Sequence, residues 1–135
     1  MMRKNGFTMI ELLAVITILG ILSSIAIGGV TQYFKKAKKQ DFAMLEKNMK
    51  TAIDNYFIDH SSSIPAIGGN FSIKAKDLTD EGYLKGLEDP DKTGSSCDLN
   101  TSYVLVTRGG SETDFNMTLN YKVCVICSKM KSNGC

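Results

Sequence analysis

The chain has 135 residues, of which 43% are hydrophobic, and its formal net charge is +2. This length gives room for one small domain core, and the near-neutral charge argues against a dedicated nucleic-acid-binding protein. No phosphate-binding loop or convergent pair of carboxylates accompanies the single histidine, His60. We therefore expect neither an enzyme nor a cofactor.

A short basic head, residues 1–6, precedes an apolar segment of membrane length. Residues 12–34 carry no charged side chain, and about 20 apolar residues are enough to cross the bilayer core. An ordinary secretory signal has its small-residue cleavage site after the apolar core, whereas here the small residue Gly6 comes before it. This order predicts cleavage after Gly6, which would leave the apolar helix on the mature protein.

Glu11 lies at the head of this apolar segment, where a carboxylate is costly. An acid at the centre of a membrane helix costs roughly 2.5 to 3.5 kcal/mol. Cleavage after Gly6 would create an α-amine on Phe7, one helical turn before Glu11. Because a buried ion pair that loses one partner costs several kcal/mol, we expect Glu11 to be a functional residue. The alternative is a signal-anchor helix with a stray acid near its end.

The string Gly6-Phe7-Thr8-Met9-Ile10-Glu11 after a basic leader resembles the N-terminus of type IV pilins, type II secretion pseudopilins and competence pilins. The resemblance covers about residues 3–34, and beyond them it is architectural. It implies that prepilin peptidase cuts between Gly6 and Phe7 and that Phe7 is N-methylated. It also implies that Glu11 pairs with the amine of an adjacent subunit during assembly, which would fix the register in which subunits dock.

One departure from the family lies within the apolar segment. Many pilins carry a proline about two-thirds along this helix, and this chain has Gly28-Gly29 there. Because each glycine costs roughly 1 kcal/mol in a helix interior, we expect this pair to be a soft point. Close packing of helices at small residues is an equal alternative.

The resemblance also implies a function and partners. The chain would be a structural subunit of a type IV pilus-like filament, first a single-pass precursor in the cytoplasmic membrane and then part of an extracellular filament. Its partners would be other copies of itself, prepilin peptidase, an assembly ATPase and membrane platform proteins. A type II secretion pseudopilin or a competence pilin is the alternative within this class, and a monomeric signal-anchored surface domain is the alternative outside it. Nucleic acid is a possible partner of the cluster Lys35–Lys39, but a solvated or lipid-facing helix turn is favoured.

After Phe34, apolar residues recur at steps of three and four residues, which predicts that the helix continues to about Asp59. The polar stretch 60–63 and Pro65 end it. We therefore predict a leader peptide at 1–6, a transmembrane and filament-core helix at 7–34, and a globular domain at 35–135 that includes the amphipathic half of the helix.

The C-terminal part is predicted to contain strands at 102–107 and 115–127, with a short helical turn at 76–84. Apolar and polar residues alternate in the second strand, which places its odd-numbered residues against the helix. Since two strands are too few, a third is expected near Phe71–Lys74 or in the tail. The predicted fold class is α+β and type IV pilin-like, with a long N-terminal helix at about 7–59 packed on a small antiparallel C-terminal sheet.

Four cysteines, Cys97, Cys124, Cys127 and Cys135, fall in the part that would face outside. An even number favours disulfides over the zinc site that Cys124-x-x-Cys127 also suggests. A hairpin that closes over residues 109–112 places Cys97 opposite Cys124, which predicts the pairs Cys97–Cys124 and Cys127–Cys135. A one-residue shift would instead favour Cys97–Cys127 with Cys124–Cys135.

A loop with Asp89, Asp91 and Asp98 offers possible calcium ligands of the kind used by major pseudopilins. The four cysteines favour the pilus interpretation, so no metal is expected.

Overall fold

The computed structural model describes residues 6–110 and 118–135. Its elements, in chain order, are α1 (Met9–Asp59), β1 (Asn70–Lys74), α2 (Ala75–Asp80), β2 (Tyr103–Gly109) and β3 (Thr118–Cys124). The predicted α+β fold, with a long N-terminal helix and a small antiparallel sheet, is confirmed. The chain divides into two compact units, one that ends at Ala37 and one formed by Lys38–Cys135.

In the first unit, the large apolar side chains of α1 are exposed on every side of the helix. Leu12 and Leu22 are each 58% exposed and Ile25 is 71% exposed. By length and composition, α1 contains a segment that is apolar enough to cross a membrane. A surface of this kind is unfavourable in water and needs lipid or other protein to cover it.

In the second unit, α1 buries one stripe of side chains at steps of one to seven residues: Phe42, Met49, Ala52, Ile53 and Phe57. They share a core with the sheet residues Val104 and Val106. The helix ends at Asp59, as predicted, and a 3-10 turn at Ser61–Ser63 follows. The stripe is therefore what holds the helix on the sheet, because it removes apolar surface from water.

The sheet has the order β1-β2-β3, and both pairs of neighbours are antiparallel. The third strand that the sequence called for is β1, at the first of the two predicted places. In β3 the odd-numbered residues from Leu119 to Val123 are half-buried, and the even-numbered residues from Thr118 to Lys122 are exposed. The predicted alternation is thus confirmed for these residues. The earlier part of that predicted strand, residues 115–117, lies outside the described residues.

The disulfides join Cys97 to Cys127 and Cys124 to Cys135. The expectation of two bridges is met, but the predicted pairs Cys97–Cys124 and Cys127–Cys135 are wrong. The pairing found is the rival one.

The register of β2 and β3 explains this error. Gly109 pairs with Thr118 and Tyr103 pairs with Cys124, so the connection is longer than the four-residue turn assumed over residues 109–112. Cys97 is not part of β2, because a turn at Asp98 comes between them. In this turn the Asp98 carboxylate accepts the Asn100 N–H at 2.9 Å.

Two backbone contacts bring the correct cysteines together. The Asp98 N–H donates to the Ile126 carbonyl at 2.8 Å, which places Cys97 beside Cys127. The Ser132 N–H donates to the Val125 carbonyl at 3.0 Å, so the C-terminal tail runs back along the end of β3. Cys135 therefore reaches Cys124.

Candidate processing and assembly site

Gly6, Phe7 and Thr8 precede the first residue of α1 and have no regular secondary structure. Gly6 is exposed, and the Phe7 side chain is 78% exposed. A peptidase needs an accessible segment, and both residues that flank the Gly6–Phe7 bond are exposed. The described part of the predicted cleavage site is therefore accessible in the chain.

Thr8 and Glu11 form a reciprocal cap at the start of α1. The Thr8 N–H and hydroxyl donate to Glu11 Oε2 at 3.1 Å and 3.0 Å. The Glu11 N–H donates to Thr8 Oγ1 at 3.3 Å. This is the capping box, in which a threonine and an acid three residues later satisfy each other's backbone N–H groups.

The cap gives Glu11 a role that the sequence analysis missed, although the Thr-x-x-Glu spacing was the signal for it. Both Thr8 bonds go to Oε2, and Oε1 has no donor among residues 6–110 and 118–135. No ion pair involves Glu11 in this part of the chain. One carboxylate oxygen is thus open to a donor from outside the chain.

Gly28 and Gly29 lie within α1, which runs through them as continuous helix. A Cβ atom added at either glycine would meet nothing within 4 Å. Within the described part of the chain, therefore, no neighbouring group requires a glycine at either position.

The three candidate calcium ligands are occupied by protein donors. Asp89 is 4% exposed, and its Oδ2 accepts the Ser128 N–H at 3.1 Å and the Ser128 hydroxyl. Asp91 pairs with Lys38 and, at 2.9 Å, with Lys129. Among the described residues, no three His, Cys, Asp or Glu side chains form a group suited to a metal.

These contacts also set the charge state of the two loop acids. Hydrogen bonds from Ser128 lower the pKa of Asp89, and the Lys38 and Lys129 ammonium groups lower the pKa of Asp91. Both therefore stay ionised and paired within the protein. The two lysine ammonium groups at Asp91 balance the negative charge of the carboxylate that would otherwise attract a metal cation.

Comparison with known proteins finds similarity in the same N-terminal part of the chain. A family model described as the prokaryotic N-terminal methylation motif matches residues 1–27. The competence protein ComGC of Bacillus subtilis is 31% identical over 84 residues, which are 62% of this chain and 78% of ComGC. The chain belongs to the type IV pilin family.

This pilin is also similar to two Neisseria proteins. The type IV major pilin protein PilE of Neisseria gonorrhoeae is 31% identical over 78 residues, 54% of this chain and 47% of PilE. A fimbrial protein of Neisseria meningitidis is 35% identical over 90 residues, 63% of this chain and 49% of that protein. The chain thus spans about half the length of these two relatives. No solved structure matches this pilin.

Proposed function

We propose that this pilin is a structural subunit of a type IV pilus-like filament, processed by prepilin peptidase and assembled from the cytoplasmic membrane. The observation that carries the proposal is the apolar first half of α1, whose large side chains are exposed in the single chain. Lipid would cover this surface before assembly, and the helices of neighbouring subunits would cover it afterwards.

The proposed domain organisation follows the same division of the chain. Residues 1–6 are a leader that the peptidase removes, residues 7–34 form the transmembrane and filament-core helix, and residues 35–135 form the globular domain. Cleavage occurs between Gly6 and Phe7, and the new amine of Phe7 is methylated. The accessible Gly6–Phe7 bond and the match to the methylation motif support both steps.

Glu11 is proposed to guide assembly through its open oxygen. The Thr8 cap holds Oε2, which leaves Oε1 to accept a hydrogen bond from the Phe7 amine of a neighbouring subunit. A subunit shifted along the filament axis would leave both charges unpaired in an apolar medium, which costs several kcal/mol. The pair therefore selects one register out of several that the apolar surfaces alone would tolerate.

Gly28 and Gly29 are proposed to form the soft point of the core helix. Each glycine weakens a helix interior by roughly 1 kcal/mol relative to alanine, and neither is held by a side-chain contact. The helix can then unwind locally as it leaves lipid for the filament. Replacement of both glycines by alanine tests this, because secondary structure at these positions in assembled filaments would then change from extended to helical.

A partner ATPase and membrane platform proteins are proposed to supply the energy for assembly. Among filament systems, similarity to ComGC over 78% of that protein supports a competence pilin as the second candidate. A monomeric signal-anchored surface domain is the contrasting possibility.

Intact-mass measurement of the membrane and filament fractions tests the proposal. The expected mature protein begins at Phe7, carries one added methyl group and lacks four thiol hydrogens because of its two disulfides. Electron microscopy of sheared surface material should show filaments that contain this species. An unprocessed protein found only in the membrane would support the monomeric anchor instead.

A further inference from the structure

A groove of about 740 Å³ lies between α1 and the edge strand β3 of the globular unit. Its apolar lining is provided by Ala43 of α1 and by Leu119 and Val123 of β3, with the C-terminal residues Asn133 and Gly134 at one end. β3 is the last strand of the sheet, and the described residues place no further strand on its outer side. The groove is thus open to a partner.

The groove is basic. Lys47, Lys50 and Lys122 line it and are exposed, and Glu46 is the one acid in the same lining. Lys50 lies with its ammonium 4.8 Å from the centre of the Tyr121 ring, a contact that holds the lysine over the groove. None of the three lysines has an ion-pair partner among the residues that the structure describes.

A second surface carries the opposite charge. The exposed acids Asp77, Asp80 and Glu81 lie on α2 and just after it. Tyr83, two residues after Glu81, donates its hydroxyl to Asp59 at 2.7 Å, which adds a fourth acid to this acidic patch. Lys74, directly before α2, and Lys76 and Lys85 are the neighbouring cations along this segment. The acids also have no ion-pair partner in the described ranges.

The two surfaces lie on opposite faces of α1. At about 100° per residue, Lys50 and Asp59 are separated by half a turn of the helix. Lys50 faces the groove beside β3, and Asp59 faces the segment after α2. Since the surfaces are different and face apart, contact between them in two copies is heterologous. Such contacts form a ring if the rotation between copies closes and an open helical filament if it does not, and the second case is the one a filament needs.

We propose that the basic groove of one subunit receives the acidic patch of a neighbouring copy of this chain. The argument is charge complementarity, with four acids and three cations on and beside the patch and three cations and one acid in the lining of the groove. Such contacts favour one partner and one orientation over others. The inference rests on the proposed filament function and adds to it the surface through which the globular domains meet.

Zero-length crosslinking of assembled filaments tests the contact directly. A carbodiimide activates a carboxylate, and a lysine amine then forms an amide with it as the urea departs. Filaments grown from a mixture of isotope-labelled and unlabelled full chains distinguish links between copies from links within one. We expect mixed-label links that join Lys47, Lys50 or Lys122 to Asp77, Asp80 or Glu81.

A charge-exchange experiment provides the second measurement. The Lys47→Glu/Lys50→Glu variant and the Asp80→Lys/Glu81→Lys variant should each lower the yield of sheared filaments several-fold. The chain that carries all four changes should recover that yield, which a folding defect would not do. Lys92→Glu, at an exposed lysine outside both surfaces, is the matched control and should leave the yield unchanged.

The outcomes separate this inference from the proposed function. If the unaltered chain forms no filaments, the proposed function fails. If the unaltered chain forms filaments without such links, and the variant with all four changes does not recover the filament yield, the inference is overturned and the function stands. Binding of a labelled DNA duplex that depends on the three lysines, with filament yield unaffected by the same variants, would overturn it in favour of a polyanion.

Discussion

The carboxylate of Asp89, in the loop after α2, binds Ser128, in the segment that follows β3. Its Oδ2 accepts the N–H and the hydroxyl of Ser128, and its Oδ1 accepts the Asp91 N–H at 2.9 Å. Asp89 is nearly fully buried. A buried carboxylate with three protein donors is a structural tie, since the loss of any donor would leave charge without compensation.

The Asp89→Asn variant should lower the free energy of unfolding by about 1 to 3 kcal/mol. The amide has one acceptor oxygen, so it cannot serve both the Ser128 donors and the Asp91 N–H. Thermal unfolding of the full chain in detergent, followed by near-ultraviolet circular dichroism, measures the change. Asp41→Asn, at an exposed acid of α1, should leave the midpoint unmoved.

The globular unit should lose stability on acidification. The pKa values of Asp89 and Asp91 are lowered in the folded protein by Ser128 and by Lys38 and Lys129. A lowered folded pKa contributes stability above the unfolded value of about 4, and that stability is lost as the pH falls through the folded pKa. The temperature of the unfolding midpoint should therefore decrease as the pH is lowered from about 5 to about 2. In an Asp91→Asn variant the midpoint should decrease less over the same pH range. The same pH dependence as in the unaltered chain would contradict a role for Asp91 in this loss of stability.

Gly134 should not tolerate a side chain. A Cβ atom there would lie 2.1 Å from the Val123 carbonyl oxygen, a backbone atom that cannot move aside alone. Gly134→Ala should therefore displace the C-terminal tail and expose the Cys124–Cys135 disulfide to reductant. Gly109→Ala is the control, because a Cβ there meets Asn120 at 3.5 Å, an ordinary contact. Equal rates of thiol release from the two variants would contradict the prediction.

The two disulfides should contribute unequally to stability. They close loops with sequence separations of 30 and 11 residues, and the chain-entropy model gives about 3.6 and about 2.8 kcal/mol for such loops. Replacement of Cys97 and Cys127 by serine should thus lower the unfolding midpoint more than replacement of Cys124 and Cys135. Non-reducing peptide mapping of each variant should recover the remaining pair intact.

Substitutions at Glu11 can separate its charge from its cap. Glu11→Gln keeps a side chain that can complete the capping box but cannot pair with an amine, so filament yield should fall sharply while membrane insertion is retained. Thr8→Ala removes the cap, at about 0.5 to 2 kcal/mol of helix stability, and keeps the charge, so it should assemble better than Glu11→Gln. Normal filament yield from Glu11→Gln would refute the register role.

Much of the fold could be predicted because periodicity is local. The helical spacing from Phe42 to Phe57 marked the buried stripe, and the alternation in β3 marked its helix-facing side. The end of α1 at Asp59 was visible from the polar residues after it. These patterns depend only on residues that are close together in sequence, so the amino-acid sequence is enough to predict them.

Features that depend on distant residues could not be predicted in the same way. The disulfide pairing depended on a strand register and on the Asp98 turn, neither of which has a unique local signal. The requirement for Gly134 comes from the close approach of Val123, eleven residues earlier. The Thr8–Glu11 cap is an exception, because its Thr-x-x-Glu spacing is a local signal. The cost of the Glu11 charge in an apolar segment favoured instead an interpretation in which its partner lies outside the chain.

The placement of the two disulfides determines how the protein would carry mechanical load. Cys97–Cys127 joins the loop before β2 to the segment after β3, and Cys124–Cys135 joins the end of β3 to the C-terminal tail. Neither disulfide joins α1 to the sheet. Apart from the connecting residues 60–69, tension applied through α1 would therefore meet non-covalent contacts between α1 and the rest of the globular unit, among them Tyr121 with Asp54 and Lys38 with Asp91. Under force, the helix would slide off the sheet while the crosslinked C-terminal part keeps its shape, and on release the same part would offer an intact surface for the helix to dock again.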